Sequence, residues 1–260
     1  METAMLQAEI ATIESVEHMP GRDRMRAPAV KSRVACSSCC LQGVCLPCGL
    51  TERDLGRFGE IVMTKRKVAR GAFLYREGDA FEYLYAVRSG AFKSVGVSRH
   101  GEEKVTGFHL AGELLGMEAI SAGRYAYGAV ALEDSEVCAM PFAALEKLSA
   151  AVPALQHQLF RTISGDISRD QGLMLLLGSM TAEQRLAAFL LSLSRRYQRL
   201  GFAADRFVLR MTREEIGNYL GLTLETVSRL FSRFQRDGFL KVKQREVELR
   251  DAARLREIVG

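Results

Sequence analysis

Five of the chain's six cysteines, Cys36, Cys39, Cys40, Cys45 and Cys48, fall within thirteen residues of the run ACSSCCLQGVCLPCG. Cys36, Cys39 and Cys45 are spaced C-x2-C-x5-C, and a short loop containing Gly43 can curl several thiolates around one centre. The remaining cysteine, Cys138, sits in a strand-like run, SEVCAMPF, where a free cysteine is ordinarily inert packing. Cys40 and Cys48 are further thiols able to ligate. Four sulfurs hold tetrahedral zinc as readily as an iron-sulfur cluster, so spacing leaves both open. A third use is a thiol redox sensor, which requires a low-pKa cysteine near basic groups such as Lys31 and Arg33.

A second group of residues with chemistry of its own lies near the other end. Thr212 and Glu215 make a T-x-x-E capping box for REEIGNYL, Gly221 breaks that helix, and Thr223 can cap the next, LETVSRLFSRFQRDG, which stops at Gly238. At about 100° per residue, Leu224, Val227, Leu230, Phe231 and Phe234 share one side of this second helix. Glu225, Ser228, Arg229, Ser232 and Arg236 share the other. In a major groove of double-stranded DNA, Arg229 could give a bidentate pair to guanine O6 and N7. Glu225 could accept from cytosine N4, and Ser228 could contact a neighbouring base or phosphate. A carboxylate repels the phosphate backbone, so Glu225 among arginines favours base reading over general electrostatics.

These two groups need elements to position them. From Val62 to about Pro141, short β-rich runs (FLYR, YLYAVR, FKSVGV, KVTGFHL, EVCAM) alternate with glycines, which predicts an antiparallel sandwich or barrel. Beyond Pro141 the pattern turns helical: Phe142 to Leu148 reads as a short helix, and Pro153 opens a long amphipathic one. Its residues Ile163, Ile167, Asp170, Met174 and Leu177 are spaced 4, 3, 4 and 3, the a/d rhythm of a two-stranded coiled coil and the expected dimerisation seam. Across a two-fold axis Asp170 would face its own copy, and unit charges about 4 Å apart at an effective ε near 20 repel by roughly 4 kcal/mol. The alternative places Asp170 at the seam's edge, paired with the partner's Arg169. Thr181 and Gln184 then cap a helix running to about Leu200, and Phe239 to Leu249, with Lys241, Lys243 and Arg245, reads as a β-hairpin wing able to touch phosphates.

The expected architecture is therefore α+β. Residues 1–50 carry the cysteine loop, 51–150 an antiparallel β-barrel sensory domain, 151–180 the dimerisation helix and 181–260 a winged helix-turn-helix domain. Charge agrees with this division, since residues 181–260 hold 16 Lys+Arg against 10 Asp+Glu while the upstream part holds 20 against 21. No apolar run approaches membrane-spanning length and the first 35 residues lack a signal-peptide core, so a cytoplasmic protein without membrane association is expected. In that reducing compartment packed cysteines favour metal over disulfides. Four scattered histidines, His18, His100, His109 and His157, and the lack of any H-E-x-x-H, G-x-S-x-G, P-loop or G-x-G-x-x-G run argue against an enzyme with a small-molecule substrate.

With these residues in hand, the chain resembles the fumarate and nitrate reductase regulator (FNR) branch of the CRP/FNR transcription factors over roughly Val34 to Leu249. The matching stretches are the cysteine loop, TGFHLAGELLG, EVCAMPFAAL, RLAAFLLSLSRR and MTREEIGNYLGLTLETVSRLFSRFQ. The resemblance implies that Cys36, Cys39, Cys45 and Cys138 ligate an oxygen-labile [4Fe-4S] cluster and that Glu225, Ser228 and Arg229 read bases. It further implies a homodimer on a TTGAT-N4-ATCAA-like palindrome, anaerobic-metabolism targets and recruitment of RNA polymerase. Cys40 and Cys48 depart from the family pattern, with Cys48 the nearer substitute ligand, as does the N-terminal extension. The neighbouring CRP branch binds cyclic AMP through a Gly-Glu pair followed by an Arg-Ser/Thr-Ala run. Here Gly112 and Glu113 are present, but Arg124-Tyr125-Ala126 puts a bulky ring where a small hydroxyl would hold the phosphate.

Overall fold

The computed structural model describes residues 36–62, 64–97 and 101–260. His18, Lys31, Arg33 and His100 lie outside the described residues, as does the whole N-terminal extension. After a single 3-10 turn at Cys36–Ser38 comes helix α1 (Glu52–Ile61), started by the Thr51 hydroxyl accepting from the Asp54 N–H. Eight strands follow: β1 (Thr64–Val68), β2 (Phe73–Tyr75), β3 (Tyr83–Ser89), β4 (Ala91–Val97), β5 (Glu103–Leu110), β6 (Leu114–Leu115), β7 (Gly128–Ala131) and β8 (Ser135–Pro141). Helices α2 (Phe142–Ala151), α3 (Pro153–Ser179) and α4 (Ala182–Arg199) lead to β9 (Arg206–Val208), α5 (Arg213–Leu220), α6 (Leu224–Arg236), β10 (Leu240–Lys243), β11 (Glu246–Leu249) and α7 (Ala252–Val259).

The first eight strands form two antiparallel sheets, ordered β1-β8-β3-β6 and β2-β7-β4-β5. Val87, Leu115 and Val137 from one and Phe92, Ala129 and Ala131 from the other share a single core. Among the described residues no pairing joins the outer strands of the two sheets, so the expected barrel is an open sandwich. Three tyrosines pack between the layers. Tyr75 stacks on Tyr125 at 3.8 Å and on Tyr85 at 5.8 Å.

Leu155 is the buried residue of α3, a helix of 27 residues. Phe160, Ile167, Met174 and Leu175 stand more than half exposed on it. Such a stripe on a single chain is unusual for a monomer and needs a partner surface. Among the described residues no helix is long and apolar enough to cross a membrane.

The C-terminal domain packs against the outer face of β4 and β5, and one apolar cluster runs from Val95, Val105 and Phe108 into Phe189, Leu190, Ile216 and Phe231. Phe108, Phe189 and Tyr219 form an aromatic triad at this joint, with centroids 5.1 to 6.0 Å apart. Arg196 of α4 grips Glu113 with bonds of 2.8 and 2.6 Å and also donates to the Phe108 carbonyl. Arg210 reaches Glu133 at 2.6 Å. β9, absent from the sequence expectations, adds a third strand to the β10-β11 hairpin, and α7, also unanticipated, covers α4.

Candidate nucleic-acid interface and metal centre

α5 and α6 form the expected two-helix unit, and the local sequence explains each boundary. Thr212 and Glu215 close a reciprocal capping box on α5, Gly221 ends it in the left-handed conformation at φ 65°, and the Thr223 hydroxyl accepts from the Thr226 N–H to start α6. The turn is tight enough to demand Gly217, where an added Cβ would lie 2.6 Å from the Leu222 carbonyl oxygen. Val227, Phe231 and Phe234 are fully buried and fix the roll of α6, with Leu230 half-buried beside them. Leu224 was expected on that packed side but is 45% exposed, because the first turn of α6 projects past the core.

Fixing that roll turns Glu225 and Arg229 fully outward, with Ser228 half-exposed between them. Glu225's carboxylate is held below its ordinary range by its own backbone N–H and the Thr223 hydroxyl, so it is a permanent acceptor. Ser232 and Arg236 extend the same face. The β10-β11 hairpin turns at Gln244, φ 56°, and presents Lys241, Lys243 and Arg245 to solvent. Direct base contacts and flanking phosphate contacts are thus both available from one rigid unit.

Four of the six thiols surround one cavity. Cys36, Cys39 and Cys45 from the loop and Cys138 from β8 line it together with Phe58, Val62, Met140 and Arg88. Cys138 reaches it because β8 is an inner strand, paired to β1 and β3 on either side. Cys48 instead donates to the Gly43 carbonyl at 3.1 Å and lines a separate cleft, and Cys40 is exposed. Burial pushes the Cys36 thiol up to about 11 and the Cys45 thiol up to about 12, with the neighbouring thiols of the set adding to it. Burial raises Cys138 as well, against the opposing pull of Arg88. These buried thiols are the reverse of the low-pKa cysteine that a redox sensor requires. The donor set suits a soft metal centre in chemistry, being all sulfur in apolar surroundings. Among the described residues no three potential ligands close on a common single-ion position, a geometry that one zinc ion needs and a cluster, whose thiolates bind separate irons, does not.

The loop is mechanically coupled to the rest of the chain. Cys36, Leu46 and Leu50 share an apolar cluster with Val152 and Leu155 at the foot of α3, with Cys45, Cys138 and Leu159 packed against it. Val44 sits so close to Gly112 that a Cβ there would lie 2.9 Å from it, and the next residue is the Glu113 that holds Arg196. On α3 the residues of the expected seam run Ile163 half-buried, then Ile167, Asp170 and Met174 exposed. Arg169 pairs with Asp166 of its own chain, which engages the group that was the alternative partner for Asp170.

Residues 184–258 match the family described as Crp-like helix-turn-helix domain, and residues 65–151 the cyclic nucleotide-binding domain. The chain is 45% identical over 235 residues to the transcriptional regulatory protein btr of Bordetella pertussis, covering 90% of this chain and 97% of that one. It is 44% identical over 227 residues to the fumarate and nitrate reduction regulatory protein of Escherichia coli (strain K12), covering 87% and 91%. The chain belongs to the FNR branch of the CRP/FNR family. The solved structure of FixK2 from Bradyrhizobium japonicum agrees in fold, with a TM-score of 0.69 and 33% identity over 76% of this chain and 97% of that one.

As a CRP/FNR protein the chain is a DNA-binding transcription regulator and not an enzyme. In its nucleotide-binding-type sandwich Arg124 and Tyr125 of the Arg-Tyr-Ala run are engaged within the chain. Tyr125 is 3% exposed and donates to the Tyr83 carbonyl at 2.7 Å, while Arg124 donates to the Gly78 carbonyl at 2.8 Å. Glu113, which sequence reading weighed as half of a nucleotide-binding pair, is consumed by Arg196. That ion pair was missed because its partners lie 83 positions apart. Two charged residues that far apart in sequence give no local signal.

Proposed function

We propose that this chain is an oxygen-responsive CRP/FNR regulator of the cytoplasm, in which Cys36, Cys39, Cys45 and Cys138 hold an oxygen-labile [4Fe-4S] cluster. Cluster binding promotes a homodimer through Ile163, Ile167, Asp170 and Met174. The dimer reads a palindromic TTGAT-N4-ATCAA-like site through Glu225, Ser228 and Arg229, recruits RNA polymerase and controls genes of anaerobic metabolism. The observation that carries this reading is that thiols from two distant segments face one cavity on the same apolar cluster that anchors the foot of α3.

A bound cluster supplies a four-point crosslink between loop and strand that oxygen can dismantle. The chain's own residues do the rest. Drawing Cys36, Cys39 and Cys45 toward Cys138 moves Leu46 and Leu50, and these press on Val152 and Leu155. A shift there re-aims the exposed seam of α3 and shields Asp170, so Ile163, Ile167 and Met174 pack across the two-fold axis. Two heads are required because one module selects a genomic site too weakly.

Anaerobic purification with absorption, iron and sulfide analysis tests the centre. A brown protein with about four iron and four sulfide per chain is expected. Serine at Cys36, Cys39, Cys45 or Cys138 lowers the iron, and serine at Cys40 or Cys48 leaves it. A colourless protein that contains zinc, or one that keeps its iron after Cys138→Ser, overturns the assignment.

A further inference from the structure

Among the described residues β5 is an outer strand of its sheet, with no strand paired along its outer edge. Asn218 of α5 occupies that edge. The Val105 N–H donates to Asn218 Oδ1 at 2.7 Å, and Asn218 Nδ2 donates to the Glu103 carbonyl at 2.8 Å, so the carboxamide pairs with β5 as one residue of an added strand would. Lys104 closes the arrangement by donating from Nζ to the Asn218 carbonyl. Nearby, Lys93 of β4 bridges Glu103 at 2.9 Å and Glu215 of α5 at 3.2 Å. Directional bonds to backbone set an angle, whereas the apolar contact around Phe108 and Tyr219 tolerates sliding. α5 in turn holds α6 rigidly through the Gly217 turn.

We propose that Asn218 is a positioning residue for operator recognition: it pins the helix-turn-helix unit to the β5 edge at one angle and thereby sets the half-site spacing the dimer accepts. This deepens the reading above and rests on it, since spacing has meaning only for a dimer on a palindrome. Inserting or removing one base pair between half-sites rotates one against the other by about 35° and moves it by about 3.4 Å. A head held by three bonds resists that change. A head without the Asn218 pair keeps the Arg196–Glu113 and Arg210–Glu133 ties of α4 and the β9 end but loses what seats α5 on the β5 edge, and follows the change more readily.

The test uses anaerobically purified full-length protein and measures binding to palindromes with the four-base spacer and with spacers one base shorter and one longer. The unaltered protein prefers one spacing sharply. Asn218→Leu keeps volume and helix but removes both side-chain bonds; it should lose about tenfold affinity on the preferred spacer, the equivalent of one or two net hydrogen bonds. Its spacer profile should flatten, while base preference within each half-site, set by Glu225 and Arg229, stays the same. Lys104→Ala, a surface change that leaves the core intact, should move the profile the same way by less, and it decides the matter if Asn218→Leu fails to fold. An unchanged spacer profile in a folded variant overturns the proposal, and so does tighter binding, which would make the contact a brake. If the unaltered protein binds every spacer equally, this inference alone fails; if it binds a single half-site as tightly as the palindrome, the dimer-on-palindrome reading fails, and this inference with it.

Discussion

Glu225 and Arg229 stand outward on α6, so their removal tests recognition with little effect on packing. Arg229→Ala should cost about 1–3 kcal/mol of operator binding and relax discrimination at the one base pair it reads. Titration of the variant against operators substituted at each position checks this. A loss equal for every sequence would reassign Arg229 to the phosphate backbone. Both outward positions were legible in the sequence because the Thr212 capping box and the Thr223 cap fixed where the two helices start and the 3.6-residue period fixed the roll of the second. Leu224 was misplaced because periodicity assigns a face but does not say where along the axis the core ends.

At the scale of elements, α3 joins the two functions: its foot shares the apolar cluster of the cysteine loop and its length offers an exposed seam. Asp170 is largely solvent-exposed in the single chain, and partial desolvation raises its carboxyl, with Arg169 opposing. Asp170→Ala should shift the aerobic protein from monomer toward dimer, by up to the roughly 4 kcal/mol of repulsion between facing carboxylates. Sedimentation in air reads it, and an unchanged monomer removes the charge-repulsion account. Ile167→Ala in the same background should reverse the gain, since it strips apolar area from the seam. Heptad spacing made the seam visible in sequence. What it did not convey is that Arg169 is taken by Asp166 on the same chain.

For the whole molecule, the joint between sandwich and reading head is built around Glu113 and Arg196. Burial alone would push the Glu113 carboxyl up, but Arg196 outweighs it and holds the pKa near 2, against an ordinary 4.5. A depressed acid contributes stability above its unfolded value, lost as pH falls through the folded one. Glu113→Gln leaves Arg196 buried without its counter-charge and should cost roughly 3 kcal/mol at neutral pH. The gap between the two proteins should close as pH drops from about 4.5 toward 2, which thermal unfolding across that range measures. His109, beside the same pair, is pushed down to about 4 by burial and hydrogen-bonds Ser94 at 2.7 Å. Its share of stability drains away between about 6.5 and 4, ahead of the Glu113 window.

The sequence by itself determined the elements whose signals are local. Caps at Thr181, Thr212 and Thr223, the alternation of β-rich runs with glycines, the heptad rhythm of α3 and the spacing of Cys36, Cys39 and Cys45 all act within a few residues of themselves. Spacing left the thiol set open and the family resemblance named it, but only the tertiary structure decided that those four face one cavity, that the two sheets stay unpaired at their outer strands, and how the head is seated on β5. Those outcomes depend on pairs such as Cys45 with Cys138, Glu113 with Arg196 and Val105 with Asn218. Contacts of that range form only after chain folding has brought distant segments together, and no pattern of neighbours along the chain encodes them.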